Sequence, residues 1–140
     1  MNIYQFHTNP ESLDFYEERL TRVPKLAYEH AKSLDRRFPE GEAAIAKSAT
    51  YAYWYALLSI KEKFPAGEAA IAKDAWYAYL YARYVIKGRF PEGEAAIAKD
   101  TEYACLYARY VIKGRFPEGE AAIANSEYKN EYEREFNVKI

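Results

Sequence analysis

The sequence predicts an all-α fold of tandem αα-hairpin repeats, stacked into a short solenoid with a capping helix at each end. Three observations carry that prediction. Phe38, Phe64, Phe90 and Phe116 recur every 26 residues, and each opens an F-P-x-G-E-A-A-I-A block. A fixed period between about 20 and 50 residues is the signature of a stacked repeat. Each of the first three blocks leads into an apolar, tyrosine-rich stretch long enough for a helix, such as YAYLYARYVIK. The two ends depart from the repeat, as the caps of a stack must, because each has a neighbour on one side only.

The elements follow in order. Residues 1–37 form the N-terminal cap, in which NPESLDFYEERL and PKLAYEHAKSLDRR read as two helices divided by Pro24. The repeats span 38–63, 64–89 and 90–115, and residues 116–140 hold the last repeat and the C-terminal cap. Each unit starts with a short helix, either α or the tighter 3₁₀ form. Pro39, Pro65, Pro91 and Pro117 sit in its first turn, where a missing N–H costs nothing. Glu42, Glu68, Glu94 and Glu120 lie near its positive end. The second helix starts at Ser48, Asp74, Asp100 and Ser126, all good N-caps. Gly88 and Gly114 are expected to stop it. The final segment, SEYKNEYEREFNVKI, places Tyr128, Tyr132 and Phe136 on one side and charge on the rest.

The bulk numbers narrow the function classes. The chain has 140 residues, half of them hydrophobic, and a net charge of -1. That balance argues against a general nucleic-acid coat. Its single cysteine, Cys105, excludes an internal disulfide and fits a reducing compartment. The opening residues have no signal-peptide pattern and no apolar run approaches a membrane span, so the expected location is cytoplasmic. Tyrosine is abundant, at 15 residues, nearly all in helical pattern.

A wheel at 100° per residue puts Tyr77, Tyr81, Tyr84 and Val85 on the expected core face, with Ala78 and Ala82 beside them. Trp76, Arg83 and Lys87 lie opposite, flanked by Tyr79 and Leu80. Comparing the repeats sharpens the outward stripe. Tyr51, Tyr77 and Tyr103 agree, as do Tyr55, Tyr81 and Tyr107, and so do the alanines at 52, 78 and 104. Change is concentrated at Thr50/Trp76/Glu102, Tyr53/Tyr79/Cys105, Trp54/Leu80/Leu106 and Leu57/Arg83/Arg109. Fixed positions are those the stack needs. Divergent outward positions are where a repeat scaffold would carry a binding surface, and neutral drift at exposed sites gives the same pattern. The candidate partner-binding residues are therefore Tyr53, Trp54, Trp76, Tyr79, Arg83, Glu102 and Arg109. Arginine with aromatic residues is the composition of interface hot spots.

Chemistry is harder to find. The tyrosines are read as interface filler with locally bonded hydroxyls, and the glutamate of PEGE is a natural partner for them or for Lys61, Lys87 and Lys113. His7 and His30 have no second ligand at helical spacing, so no metal is expected. Cys105 replaces a tyrosine and is read as a tolerated substitution, not a nucleophile. No nucleophile, base and orienter set appears, so neither an enzyme nor a cofactor is expected. Arg83, Lys87, Arg89, Arg109, Lys113 and Arg115 recur at one repeat's spacing and would align into a basic ridge, the alternative site, suited to single-stranded nucleic acid or a nucleotide. Nearby Glu92, Glu94, Glu118 and Glu120 dilute its field, which ranks protein above nucleic acid as partner. Self-association through Trp54 and Leu57 is a third reading.

The unit YAYLYARYVIKGRFPEGEAAIAKD resembles tandem repeats of small, mostly uncharacterised proteins of bacteriophages and prophages, over roughly residues 38 to 125 and weakly in the caps. The resemblance carries no catalytic motif. It implies action in the cytoplasm of a bacterial host, as an inhibitor or adaptor of a host protein such as a defence factor. The leading expectation is a non-enzymatic protein-binding module.

Overall fold

The 26-residue period becomes a stack of helix pairs in the structure, a computed structural model that describes residues 18–140. The chain is all-α among those residues. Residues 18–22 are helical, and α1 spans Pro24–Leu34. His7, and most of the first segment of the expected N-terminal cap, lie outside the described residues. The units then alternate. A single 3₁₀ turn, Pro39–Gly41, leads into α2 (Glu42–Ile45), and α3 begins at Ala49. The later units pair α4 (Pro65–Ile71) with α5 (from Ala75), and α6 (Pro91–Ala98) with α7 (from Thr101). The last pairs α8 (Pro117–Ala124) with α9 (Lys129–Phe136). The first helix is thus α in three units and starts as 3₁₀ in one.

The predicted N-caps hold for three units. Ser48 Oγ accepts the Tyr51 N–H, Asp74 Oδ1 the Tyr77 N–H and Asp100 Oδ1 the Tyr103 N–H. Each satisfies one backbone donor that the helix start leaves open. Ser126 does not cap the last helix. Its hydroxyl donates to Ile123 O at 2.7 Å and accepts from Tyr128 N at 3.2 Å, so a turn occupies 126–128 and α9 starts later.

The second helices are not α throughout. α3 (Ala49–Trp54) continues as a π segment over Tyr55–Ile60, α5 (Ala75–Leu80) over Tyr81–Ile86, and α7 (Thr101–Tyr107) over Ala108–Ile112. Each ends on a lysine in the left-handed region: Lys61 at φ 55, Lys87 at φ 60 and Lys113 at φ 59. The expected stop at Gly88 and Gly114 is therefore displaced by one residue, and neither glycine has a positive φ. The first unit explains why glycine is dispensable here, since Lys61 is followed by Glu62.

Packing centres on the small residues. A Cβ added at Gly93 of α6 would lie 2.8 Å from the Ala78 Cβ of α5 and 2.7 Å from the Phe90 ring. Gly67 meets Ala52 and Gly119 meets Ala104 in the same way. Each first helix thus rests, glycine on alanine, against the second helix of the preceding unit. The N-terminal cap reproduces the contact, because Gly41 meets Ala27 of α1. The segment Ala27-Tyr28-Glu29-His30-Ala31 is a degenerate copy of Ala52-Tyr53-Trp54-Tyr55-Ala56, with Ala27, Tyr28 and Ala31 all buried. His30 packs edge-on against Phe38 at 4.8 Å, a cap aromatic.

The core face keeps Tyr81, Ala78 and Ala82 as expected, but it is rotated toward the alanines. Tyr53 and Tyr79, expected outward, are each 2% exposed, whereas Tyr84, expected inward, is 45% exposed. Two physical causes account for this. Close approach occurs where side chains are smallest, so the alanine row faces the neighbour and the large rings flank it. A π turn also advances fewer degrees per residue than an α turn, which swings Tyr84 away from the face a uniform wheel gives it.

Candidate functional site

The tyrosine at 55, 81 and 107 does the same work in each unit, and Tyr132 does it in the last. The Phe64 N–H donates to Tyr81 Oη at 2.9 Å, and Tyr81 Oη donates to Glu68 Oε1 at 2.7 Å. Tyr55 joins Phe38 to Glu42, Tyr107 joins Phe90 to Glu94, and Tyr132 joins Phe116 to Glu120. The ring of Tyr55, Tyr81 or Tyr107 then packs on the phenylalanine of the next unit, at 5.0 to 5.2 Å. One residue thus fixes its own helix pair through its hydroxyl and the next through its ring. Burial pushes Tyr55 and Tyr132 up to about 12, and the hydrogen bond to a carboxylate adds to the effect. The tyrosine–glutamate pairing is the one the sequence suggested.

Arginines close three of these clusters. Arg89 grips Glu94 through Nε and Nη2 at 2.7 and 2.9 Å, and Arg115 grips Glu120 at 2.7 and 2.8 Å. Arg37 reaches Glu42 at 2.9 Å and Glu62 at 2.8 Å. Hydrogen bonds from Arg89 and Arg115 hold the Glu94 and Glu120 carboxyls below the usual carboxylate range. Of the expected basic ridge, Arg89 and Arg115 are therefore neutralised by the glutamate of the following unit. Lys87 and Lys113 are exposed at the helix ends.

The predicted partner-binding residues separate into three groups. Tyr53 and Tyr79 are core, and a partner cannot reach them as faces of the stack. Trp54 is half-buried, its ring 5.0 Å from Tyr53. Trp76, Arg83, Glu102 and Arg109 remain at or near the surface. Trp76 is 41% exposed and rests against Tyr103 at 5.2 Å. Sequence reasoning missed two exposed rings that adjoin Arg83: Tyr84, and Tyr110 at 42% exposure. Leu58, at 40%, lies on the corresponding π segment of the first unit.

Arg83 and Arg109 occupy the same position in successive units but are held differently. Arg83 Nη1 donates to Tyr79 Oη at 2.7 Å, and its guanidinium lies 4.1 Å from the Tyr110 ring centroid and 5.0 Å from that of Tyr84. Among the described residues no carboxylate pairs with it. Arg109 is clamped by Glu131 and by Glu135, the latter at 2.8 Å, both on α9. Arg83 is thus bedded on aromatic rings, against Tyr84 and Tyr110, without a carboxylate among the described residues. Its counterpart is tied to the C-terminal cap.

At Cys105 burial pushes the thiol up to about 11. Glu131 and Glu135 add to this, while Arg109 opposes it, so the thiol stays protonated near neutrality and is a weak nucleophile. Among the described residues no group of three or more His, Cys, Asp or Glu is arranged to hold a metal ion, and no helix is long and apolar enough to cross a membrane. Compared with protein-family models, curated proteins and solved structures, the chain matches none. The functional reading therefore rests on the geometry of this surface.

Proposed function

We propose that this chain is a non-enzymatic protein-binding helical repeat module. It acts as a phage-encoded inhibitor or adaptor of a bacterial host protein, and it binds through the outward side of its second helices. The observation that carries the reading is Arg83. Its guanidinium is bedded between Tyr79, Tyr84 and Tyr110 and pairs with no carboxylate among the described residues, and the exposed Trp76 packs on the same Tyr79 at 6.3 Å. Such an arginine has little rotamer freedom left to lose on binding, and most of its donors remain for a partner's carboxylate or carbonyl groups. Exposed Trp and Tyr around a half-buried Arg have the composition of interface anchors. The clamps on Arg89, Arg109 and Arg115 argue against a nucleic-acid groove, which needs cations open to phosphate. The host and the inhibitor role follow the resemblance to phage repeats and are part of the proposal.

The test is an affinity capture from bacterial lysate at low and high salt, with Trp76→Ala/Arg83→Ala alongside. The reading expects a discrete protein held by the wild type at high salt. The double variant should weaken binding by at least about 2 kcal/mol, roughly 30-fold, with its helicity unchanged. Equal capture by both proteins, or nucleic acid held only at low salt, would overturn it.

A further inference from the structure

Of the core-facing positions at which the repeats differ, one leaves a slot. In the first two units a buried tyrosine fills the groove between successive second helices. Tyr53 lies 5.8 Å from Tyr77 of the next unit, and Tyr79 stacks on Tyr103 at 6.3 Å and 15°. The third unit has Cys105 at this position, and the residue facing it from the C-terminal cap is Tyr128. The correspondence is anchored by Tyr132, which bonds Phe116 N and Glu120 as Tyr107 bonds Phe90 N and Glu94. A thiol does not span the space a phenol ring spans. A cleft of about 110 Å³ opens there, walled by Cys105, Leu106, Tyr128 and Tyr132 and rimmed by Glu102, Arg109, Glu131 and Glu135.

We infer that this cleft binds a neutral phenol ring, presented as a tyrosine side chain by a partner protein. The occupant is read from the chain itself, since in two units the same groove already holds a tyrosine against the next unit's tyrosine. The polar contacts are also prefigured. Tyr79 Oη accepts from Arg83 at 2.7 Å, and Arg109 stands at the equivalent place beside Cys105. Glu131 and Glu135, which hold Arg109, can accept a hydrogen bond from the phenol O–H, so both the donor and the acceptor side of the hydroxyl are served. Three rim carboxylates against one arginine make the mouth acidic, so the tyrosine is flanked by lysine or arginine and not by acids. An apolar cavity of roughly 150 Å³ binds benzene, and this cleft is of the same order and opens to solvent, so it has room for one ring. The inference rests on the protein-binding reading only in that a protein carries the phenol. The slot itself is independent of the Trp76 and Arg83 strip.

The experiment titrates the chain by calorimetry and by heteronuclear NMR with p-cresol, tyramine and p-hydroxyphenylacetate, and with a short peptide holding tyrosine between lysines. The expected result is saturable binding of p-cresol, with shifts centred on Cys105, Leu106 and Tyr128. Tyramine and the peptide should bind tighter than the anionic acid. Cys105→Tyr refills the groove with the residue of the other units and should weaken every probe at least about tenfold. Cys105→Phe should do the same, which guards against a particular variant that fails to fold. No saturable binding, or binding indifferent to both variants, would overturn the slot. Tighter binding of the anionic probe would overturn its polarity. A dimer dissolved by Cys105→Tyr would make a second copy the occupant and overturn the assignment to a different protein. Loss of capture by the Trp76/Arg83 variant leaves these titrations unaffected, so the two readings fail separately.

Discussion

Tyr81→Phe removes one oxygen and tests whether the repeated tyrosine organises the stack. The ring, its buried volume and its 5.2 Å contact with Phe90 are retained. Two hydrogen bonds are lost. The Phe64 N–H is buried and has the hydroxyl as its acceptor, at 2.9 Å. A buried donor left unpaired costs about 1–3 kcal/mol. The bond to Glu68 is made to a charged group, for which about 1.5–3 kcal/mol is typical, but Glu68 is only half-buried and water can replace part of it. The sum expected is about 3 kcal/mol. Tyr84→Phe is the control, since Tyr84 is largely exposed, and it should fall within about 0.5 kcal/mol of wild type. Urea unfolding followed by circular dichroism reads both, and the slope should be unchanged because the buried surface is unchanged. A loss below about 1 kcal/mol for Tyr81→Phe would refute the relay as a stabilising element and leave tyrosine as a filler of space.

Other consequences are as direct. Gly93→Ala forces a Cβ to within 2.8 Å of Ala78 and 2.7 Å of the Phe90 ring and should cost about 1–3 kcal/mol by thermal melting. Gly88→Ala, whose nearest neighbour would be 3.9 Å away, should be neutral or stabilise by up to about 1 kcal/mol. Ser59 has a buried hydroxyl without a partner among the described residues, while Val85 and Val111 stand at the matching positions. Ser59→Val should therefore raise stability by about 1–2 kcal/mol in the same assay. Stability should also fall at both pH extremes. The Glu94 and Glu120 carboxyls are depressed in the folded state, so their contribution is full above the ordinary glutamate range and is lost as pH drops through their lowered values. Tyr55 and Tyr132 are raised to about 12, so their contribution is full below about 10 and is lost as pH climbs toward 12. Unfolding midpoints measured across pH check both limbs, and a flat profile between pH 2 and 5 would contradict the carboxylate clamps.

Much of the architecture was legible in the residues. The phenylalanine period marks the units, and Ser48, Asp74 and Asp100 announce the second helices because a short polar side chain before an apolar run has one economical use. The glutamate of PEGE was a sound partner for the tyrosine hydroxyls. The orientation of the second helix was not legible. Large apolar side chains dominate a hydrophobic wheel, yet Ala78 and Gly93 set the closest approach, so Tyr79 is buried at the flank of a face that the alanines centre. The π segments compounded the error, because no residue in YARYVIK signals a wider turn and a uniform rotation misplaces Tyr84. Glycine was likewise a misleading stop signal, since Lys87 bears the left-handed backbone itself. The pairing of the ridge arginines was hidden for a different reason. Sequence periodicity aligns charges, but Arg89 and Arg115 find glutamates five residues on, and Arg109 finds two on the final helix. The copy of the second helix in α1 had a visible signal, the A-Y-x-x-A spacing of residues 27–31.

The central claim is that the strip around Arg83 is a protein-binding surface, and site-specific photocrosslinking tests it most directly. A benzophenone side chain placed at Tyr84 reports on that strip, and one at Ala95, exposed on the first helix α6, reports on the other side of the stack. Irradiation in bacterial lysate should yield one adduct of defined mass from position 84 and none from position 95. Equal adducts from both positions, or an adduct from position 95 alone, would contradict the account.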